Sequence, residues 1–365
     1  MTKIDEFINN YYKNANLVGG EVDGDAVQKA LTTSTTGMFN TIYGPIAFGQ
    51  LNQEANVFGL LPKFVSANKG YRATTARPSD IQNGTNEGGN LAAADDDTRA
   101  LVVVGDKTQQ ITYQFSEILQ AREGRDDVES LAELRNKYMN YHIEGIEASL
   151  NTDGDTLALT KFESIDRVTA SSAYATAVGW TAADEDIYGI DRSANSWADA
   201  QVGHNSGTDR ALTLGLIRGV LYDCREAGAN TNTIITGWDT FEDTVNLLES
   251  QQRYHELIMN VGVNGVNPAK PGETGKSVLA FDGVPIFANA RTPKDTSSRM
   301  YFLDTTNPEG ANTPRLGFRI LRPTMNIEST DFIKNGAFAI KGNYSTVGEL
   351  YCRNLSMQGS LRDLL

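Results

Sequence analysis

An α+β fold follows from the order in which periodic segments occur along the 365 residues. Helical periodicity is concentrated between residues 126 and 248, strand-like alternation dominates after 278, and a polar, turn-rich stretch at 68–110 precedes both. Helices gathered mid-chain with strands gathered late fit α+β architecture better than an alternating βαβ pattern. No internal repeat is visible.

Residues 1–67 show no sustained hydrophobic period. Short apolar patches such as Ile42-Tyr43 and Val57-Phe58-Gly59-Leu60-Leu61 alternate with Gly, Asn and Thr. This reads as an arm that cannot build its own core, with a helix expected at 4–12. Residues 68–110 read as a long hairpin. Asn83-Gly84 and Gly88-Gly89 supply the φ > 0 positions that reverse strands, and Ala100-Leu101-Val102-Val103-Val104 supplies the return strand. So long and polar a hairpin is expected to need a partner. Gln110 to Phe115 then alternates with period two.

The strongest helix spans 126–150. Asp126 and Asp127 sit where the positive end of the helix dipole favours acid. Leu131, Leu134, Tyr138 and Tyr141 form one stripe, and Val128, Met139, Ile143, Ile146 and Leu150 a second. Two stripes predict cover on more than one side. Residues 151–207 are polar and aspartate-rich and read as a long loop or small insertion. A helix is expected over 209–227, capped by Asp209 and ended by Gly228. A buried strand at 233–236 and a helix at 239–248 follow. Beyond 278 the expected strands are a hairpin at 278–288 turning on Asp282-Gly283, then 300–304, 316–321, 337–340 and 347–351.

Lys plus Arg total 32 and Asp plus Glu 46, a net charge of −14. Such a field repels phosphate backbones and argues against direct nucleic-acid binding. Cys224 and Cys352 form no CxxC unit and read as buried thiols. The N-terminus has no signal-peptide core, and no run reaches the length of a membrane span, so folding in a cytoplasm is expected.

Motifs for chemistry are lacking. The stretch from Lys270 to Ser277 superficially resembles a phosphate loop, but its first glycine position is Lys270 and a strand follows it. Asn151-Thr152-Asp153-Gly154-Asp155 begins like a calcium loop, yet Thr156 and Phe162 occupy the required Gly and Glu positions. His142, His204 and His255 have no metal spacing. No nucleophile elbow occurs. The expectation is a non-enzyme with no catalytic residue, cofactor or metal.

The sequence of arm, long hairpin, long helix, mid-chain α/β part and returning strands resembles the HK97-type major capsid proteins of tailed double-stranded DNA viruses, from end to end. Asn86-Glu87-Gly88-Gly89 followed by Val102-Val103-Val104 is similar to that family's E-loop return. Residues 126–150 resemble its spine helix, and Phe281-Asp282-Gly283-Val284-Pro285-Ile286 and Tyr301-Phe302-Leu303-Asp304 resemble two of its strands. The resemblance implies an N-terminal arm at 1–67 and an E-loop at 68–110. It implies a peripheral domain at 111–150 and 316–349, and an axial domain at 151–315 and 350–365. It also implies a chain that self-assembles as hexamers and pentamers into an icosahedral shell around double-stranded DNA, in a virion assembled in the host cytoplasm. Separate scaffold, protease and portal proteins are the expected partners, with no membrane. Arg72, Arg77, Glu87 and Arg99 on the hairpin are the expected subunit contacts. Two departures stand out. The hairpin tip has no lysine, only Lys69 and Lys107 at its base, so covalent cross-linking is not expected. The arm is short from Met1, so a fused scaffold is not expected either. An encapsulin-like nanocompartment shell is the nearest alternative, and a surface structural protein a more distant one.

Overall fold

Two β-sheets organise the chain in a computed structural model that describes residues 57–66, 68–78, 87–89, 95–116, 131–250, 279–308, 313–331, 335 and 338–365. The expected helix at 4–12, the arm to residue 56, positions 79–86 of the hairpin, 126–130 of the long helix and the 270–277 loop lie outside the described residues.

The first sheet has four strands in the order β1-β10-β11-β4: Lys63–Val65, Leu316–Ser329, Ala339–Cys352 and Lys107–Ser116. β10 and β11 are each 14 residues long and antiparallel, and β11 also pairs antiparallel with β4. The two strands expected at 337–340 and 347–351 are therefore one. Lys341 to Thr346, outside both expected strands, lie in a central strand with a partner on each side. There the ladder satisfies the backbone, and Tyr344, Ser345 and Thr346 are buried.

A helix at Leu131–Leu150 packs on this sheet. Met139 and Ile143 meet Tyr113, Phe115 and Tyr344. Ile146 and Leu150 enter a larger core with Phe58, Phe162, Phe318 and Leu350. His142 is buried and bonds the Thr346 hydroxyl at 2.7 Å. Burial pushes its imidazole down to about 4, so it is neutral at physiological pH. Cover on two sides is only partly realised: Tyr138 is half-buried and Tyr141 is 44% exposed.

The second sheet has six strands in the order β5-β12-β9-β6-β8-β7: Gln201–Gly203, Gly359–Leu361, Met300–Leu303, Thr233–Thr236, Val284–Ala288 and Leu279–Phe281. β6 and β9, in its interior, are buried at every residue, as a strand covered on both faces must be. The β7–β8 turn is made by Asp282 at φ 51° and Gly283 at φ 81°, the left-handed pair of a tight hairpin. The helix Leu214–Glu226 packs Ile217, Val220, Leu221 and Cys224 against this sheet. It starts at Leu214 and not near Asp209. Thr213 is the cap, accepting the Leu216 N–H at 3.3 Å, while the Asp209 carboxylate accepts the Thr296 hydroxyl. The next helix is Trp238–Ser250.

Residues 151–207 are not a loop. They form short helices at Ile165–Val168, Ser172–Val178 and Ala182–Glu185, a 3₁₀ turn at Ser196–Ala198, and β5. Phe162, Ile165, Val168, Tyr174 and Ile187 are buried. Their polar residues serve as caps, with Ser164 and Ser171 each accepting a helix N–H. Others form a buried charge network. Asp166 is fully buried and receives Arg299 at 2.9 Å, Arg362 at 3.1 Å, the Tyr301 hydroxyl at 2.8 Å and the Gly154 N–H at 2.9 Å. Burial alone would raise this carboxyl, but Arg362 and Arg299 together hold it well below the usual carboxylate range. Arg299 also pairs with Asp153 and Asp295, and Arg362 lies over the Tyr174 ring at 4.4 Å.

Candidate functional site: a rooted hairpin

A third, two-stranded sheet is formed by β2 (Gly70–Ala76) and β3 (Thr98–Val103), and neither strand joins the larger sheets. Register runs from Gly70 opposite Val103 to Ala76 opposite Thr98, with an irregularity at Thr75. Period-two alternation gives the ribbon two unlike faces. On one, Val102 and the following Val104 are buried against Phe64, Tyr71, Tyr351, Tyr188, Ile190 and Trp197. The Tyr71 hydroxyl donates to the Cys352 carbonyl at 2.8 Å, and its ring meets Tyr351 edge-on at 5.5 Å. The other face carries Arg72, Thr74, Arg99, Leu101 and Val103, all exposed, with Leu101 72% and Val103 52% accessible.

Three anchors fix the ends of this ribbon and of the arm. Arg319 of β10, 1% exposed, holds both hairpin strands: it donates to the Asn68 carbonyl, to the Val104 carbonyl at 2.9 Å, and to the Asp106 carboxylate. Lys107, the first residue of β4, lies 3.1 Å from Glu349 and 3.8 Å from Glu163. Glu349 also accepts the backbone N–H of Glu163 at 2.6 Å and of Leu350 at 3.0 Å. Burial pushes its carboxyl up to about 7, with Lys107 opposing. A cavity of about 440 Å³ opens there, lined by Lys107, Glu163, Arg167, Asp186, Tyr188 and Glu349 among others. The third anchor is Glu147 of the long helix, at the start of the helix Val57–Leu60. Its carboxylate accepts the N–H groups of Val57 at 3.1 Å and Phe58 at 2.9 Å, and the side-chain amides of Asn151 at 2.9 Å and Asn289 at 3.4 Å. Burial raises its pKa, and burial lowers that of nearby Lys63 to about 8.

Of the four residues expected at subunit contacts, Arg72 and Arg99 share the exposed face. Arg72 is opposite Leu101 and Arg99 opposite Thr74. Arg99 also binds Asp97 at 2.7 Å. Arg77 is exposed just past β2, and Glu87 is exposed beside Gly88, at φ 79°. No contact among the described residues joins Arg77 or Glu87 to the other two. Sequence reading missed Leu101 and Val103 as surface, and Arg319, Lys107, Glu349 and Glu147 as anchors. The unbroken apolar run Leu101-Val102-Val103-Val104 was the available signal, because alternation must turn half of such a run outward.

Among the described residues, no group of three or more His, Cys, Asp or Glu is arranged to hold a metal ion, and no helix is long and apolar enough to cross a membrane. Cys224 and Cys352 are buried free thiols. The geometry offers an open hairpin face and buried anchors that hold the hairpin and the 57–60 helix to their own chain.

No protein-family model matches the chain, and no curated protein matches its sequence. Solved structures share its fold. The capsid asymmetric unit of cyanophage A-1(L) superposes with a TM-score of 0.61 at 15% identity, covering 84% of this chain and 92% of that one. The capsid of the empty GTA particle gives 0.54 at 11% identity over 85% and 90% of the two chains. The capsid of the native GTA particle gives 0.53 at 9% identity over the same shares. The chain therefore has the HK97-type capsid-subunit fold, an α+β fold, that its segment order resembles.

Proposed function

We propose that this chain is a major capsid protein that self-assembles, as hexamers and pentamers, into an icosahedral shell around double-stranded viral DNA. The observation that carries the reading is the hairpin. It is rooted in its own subunit by buried anchors, yet it leaves Leu101, Val103, Arg72 and Arg99 on an uncovered face. A ribbon held at its base and open along one face suits contact with a second copy. Arg72, Arg77, Glu87 and Arg99 are the proposed contact residues. The net charge of −14 suits a wall that must not adhere to packaged DNA.

In this reading residues 1–67 are the arm and 68–110 the E-loop. Residues 111–150 with 316–349 are the peripheral domain, and 151–315 with 350–365 the axial domain. Scaffold, protease and portal functions reside in separate proteins, and the shell is assembled in the host cytoplasm. The work is done by contacts and not by catalysis. Cross-linking through the hairpin is not part of the reading, because its tip carries no lysine between Lys69 and Lys107.

Electron microscopy with size-exclusion chromatography tests the proposal on the full chain and on a chain lacking residues 79–89. Closed shells or rings of five and six from the full chain, and folded unassembled subunits from the deletion, are expected. Normal particles from the deletion would remove the hairpin from the mechanism.

A further inference from the structure

Two buried carboxylates share one lysine where the hairpin's return strand passes into β4. Glu349 meets Lys107 at 3.1 Å, and Glu163 meets the same ammonium at 3.8 Å. Glu163 also faces Arg167 at 3.4 Å, and its Oε1 has no hydrogen-bond donor among the described residues. Arg167 is further occupied by the Ala183 and Asp186 carbonyls. From the 182–190 stretch, Asp186 lines the cavity, and the Tyr188 hydroxyl donates to the Leu350 carbonyl at 2.7 Å. Buried Arg192 lies near enough to Glu163 for their charges to interact. Arg319 stands opposite Glu349 in the β10–β11 ladder, but its guanidinium is directed to Asp106, Val104 and Asn68. The cavity lined by both carboxylates gives water a route to the pair.

We propose that the Glu163–Glu349 pair is a proton-binding site at the hairpin root, and that its proton decides whether Lys107 is held on Glu349. Burial disfavours the charged form of Glu349 and the nearby Glu163 carboxylate adds repulsion, so Glu349 keeps a proton over an extended pH range. Its carboxyl is pushed up to about 7. Protonated, it offers Lys107 no counter-charge, and the ammonium is left to Glu163. Ionised, it tethers Lys107 and, through it, the segment that leaves the hairpin.

The sign of the effect is distinctive. The folded chain binds this proton more tightly than an unfolded chain, whose Glu titrates near 4.5. The contribution to global stability is therefore fully present below about pH 4.5 and is lost as pH rises through about 7. The local tether changes the other way, forming as pH rises. A residue with only a packing role would not move global stability and local protection in opposite directions.

Hydrogen exchange of the full, unassembled chain at pH 6 and pH 8.5, corrected for intrinsic rates, reads the tether at amides 102–109. About fivefold more protection at the higher pH is expected, the size of a modest ion pair. In Glu349→Gln, a neutral mimic of the protonated acid, the difference should vanish, with protection fixed at the pH 6 value. Carboxyl NMR gives a second reading. A Glu349 midpoint near 7 that rises further in Lys107→Met supports the site. Equal protection at both pH values, an unchanged pH response in Glu349→Gln, or a midpoint near 4.5 would overturn it. Neither measurement needs a shell, so failure here leaves the assembly reading standing, and failure of assembly leaves this site standing.

Discussion

The hairpin and the 151–207 segment are both polar in sequence, and the fold treats them oppositely. Along the hairpin's two strands and beyond them toward the tip, the arginines stay outside. Arg72 and Arg77 are exposed and make no ion pair among the described residues, and Arg99 pairs only with Asp97, two positions away. In 151–207 several charges go inside: Glu163, Arg167 and Arg192 are buried, and Asp166 is fully buried against Arg299 and Arg362. The difference is complementarity at long range. Asp166 finds guanidiniums from 133 and 196 positions away, with a tyrosine hydroxyl to fill its remaining lone pair. The hairpin arginines find no such partner within the described chain. Polarity in a sequence therefore marks solvent only where the chain does not supply the opposite charge. A segment left without it is available to a second molecule.

Asp166→Asn is the largest test of that contrast. Removing one charge strands Arg362 in the interior and leaves Arg299 to Asp153 and Asp295, and a loss of about 3–5 kcal/mol in urea-unfolding free energy is expected. Deleting residues 79–89 should leave the urea midpoint nearly unchanged. If the deletion proved the more costly of the two, the contrast would be inverted. Acid gives the same test without mutation. Because the folded Asp166 carboxyl is held below its ordinary value of 3.8, its contribution is present above that pH and is lost as pH falls below it. Asp166→Asn should remove that part of the acid transition.

The anchors between the two regions come next in size. Arg319→Met leaves Asp106 without its cation and frees both hairpin strands, at a cost of about 3 kcal/mol. Proteolysis between residues 66 and 106 should accelerate more than cleavage elsewhere. Glu147→Ala strips acceptors from Val57, Phe58 and two asparagine amides. A loss of about 2 kcal/mol is expected, with faster proteolysis just upstream of residue 57. Uniform acceleration across the chain in either variant would mean that the residue supports the body generally and anchors nothing in particular.

The parts legible from sequence were those set by local rules. The Asp282-Gly283 turn, the buried strand at Thr233–Thr236 and the Ile143–Ile146–Leu150 face of the long helix follow from turn chemistry and period. What could not be read was decided by distant partners. The single strand β11 was split in two because its middle is polar, and only β10 and β4 together make that middle a sheet interior. The 151–207 core was missed because Arg299 and Arg362, which neutralise it, come from far along the chain. The candidate contacts divide in the same way. Arg72 and Arg99 could be placed on a hairpin from sequence. Their shared face with Leu101 and Val103 depends on a register that sequence alone did not fix.

The smallest expected effect on stability belongs to the residues proposed to matter most for assembly. Arg72→Ala with Arg99→Ala removes two exposed side chains, one of them tied only to a neighbouring surface aspartate. Exposed pairs of that kind contribute little to folding, so the urea midpoint and melting temperature of the unassembled chain should not shift measurably. Assembly should respond strongly. Every hairpin in a closed shell would lack the same two charges, and a weak deficit repeated at each contact accumulates around rings of five and six. The expected result is folded subunits in place of shells, with assembly of the parent chain more salt-sensitive than its folding. Adding Leu101→Ser separates the charged and apolar parts of the face, since that residue is 72% exposed and its loss should likewise spare the fold. Shells of normal size and yield from the triple variant would mean that this face meets solvent in the assembled particle. The hairpin would then differ from the 151–207 segment in exposure alone, and not in serving a second copy of the chain.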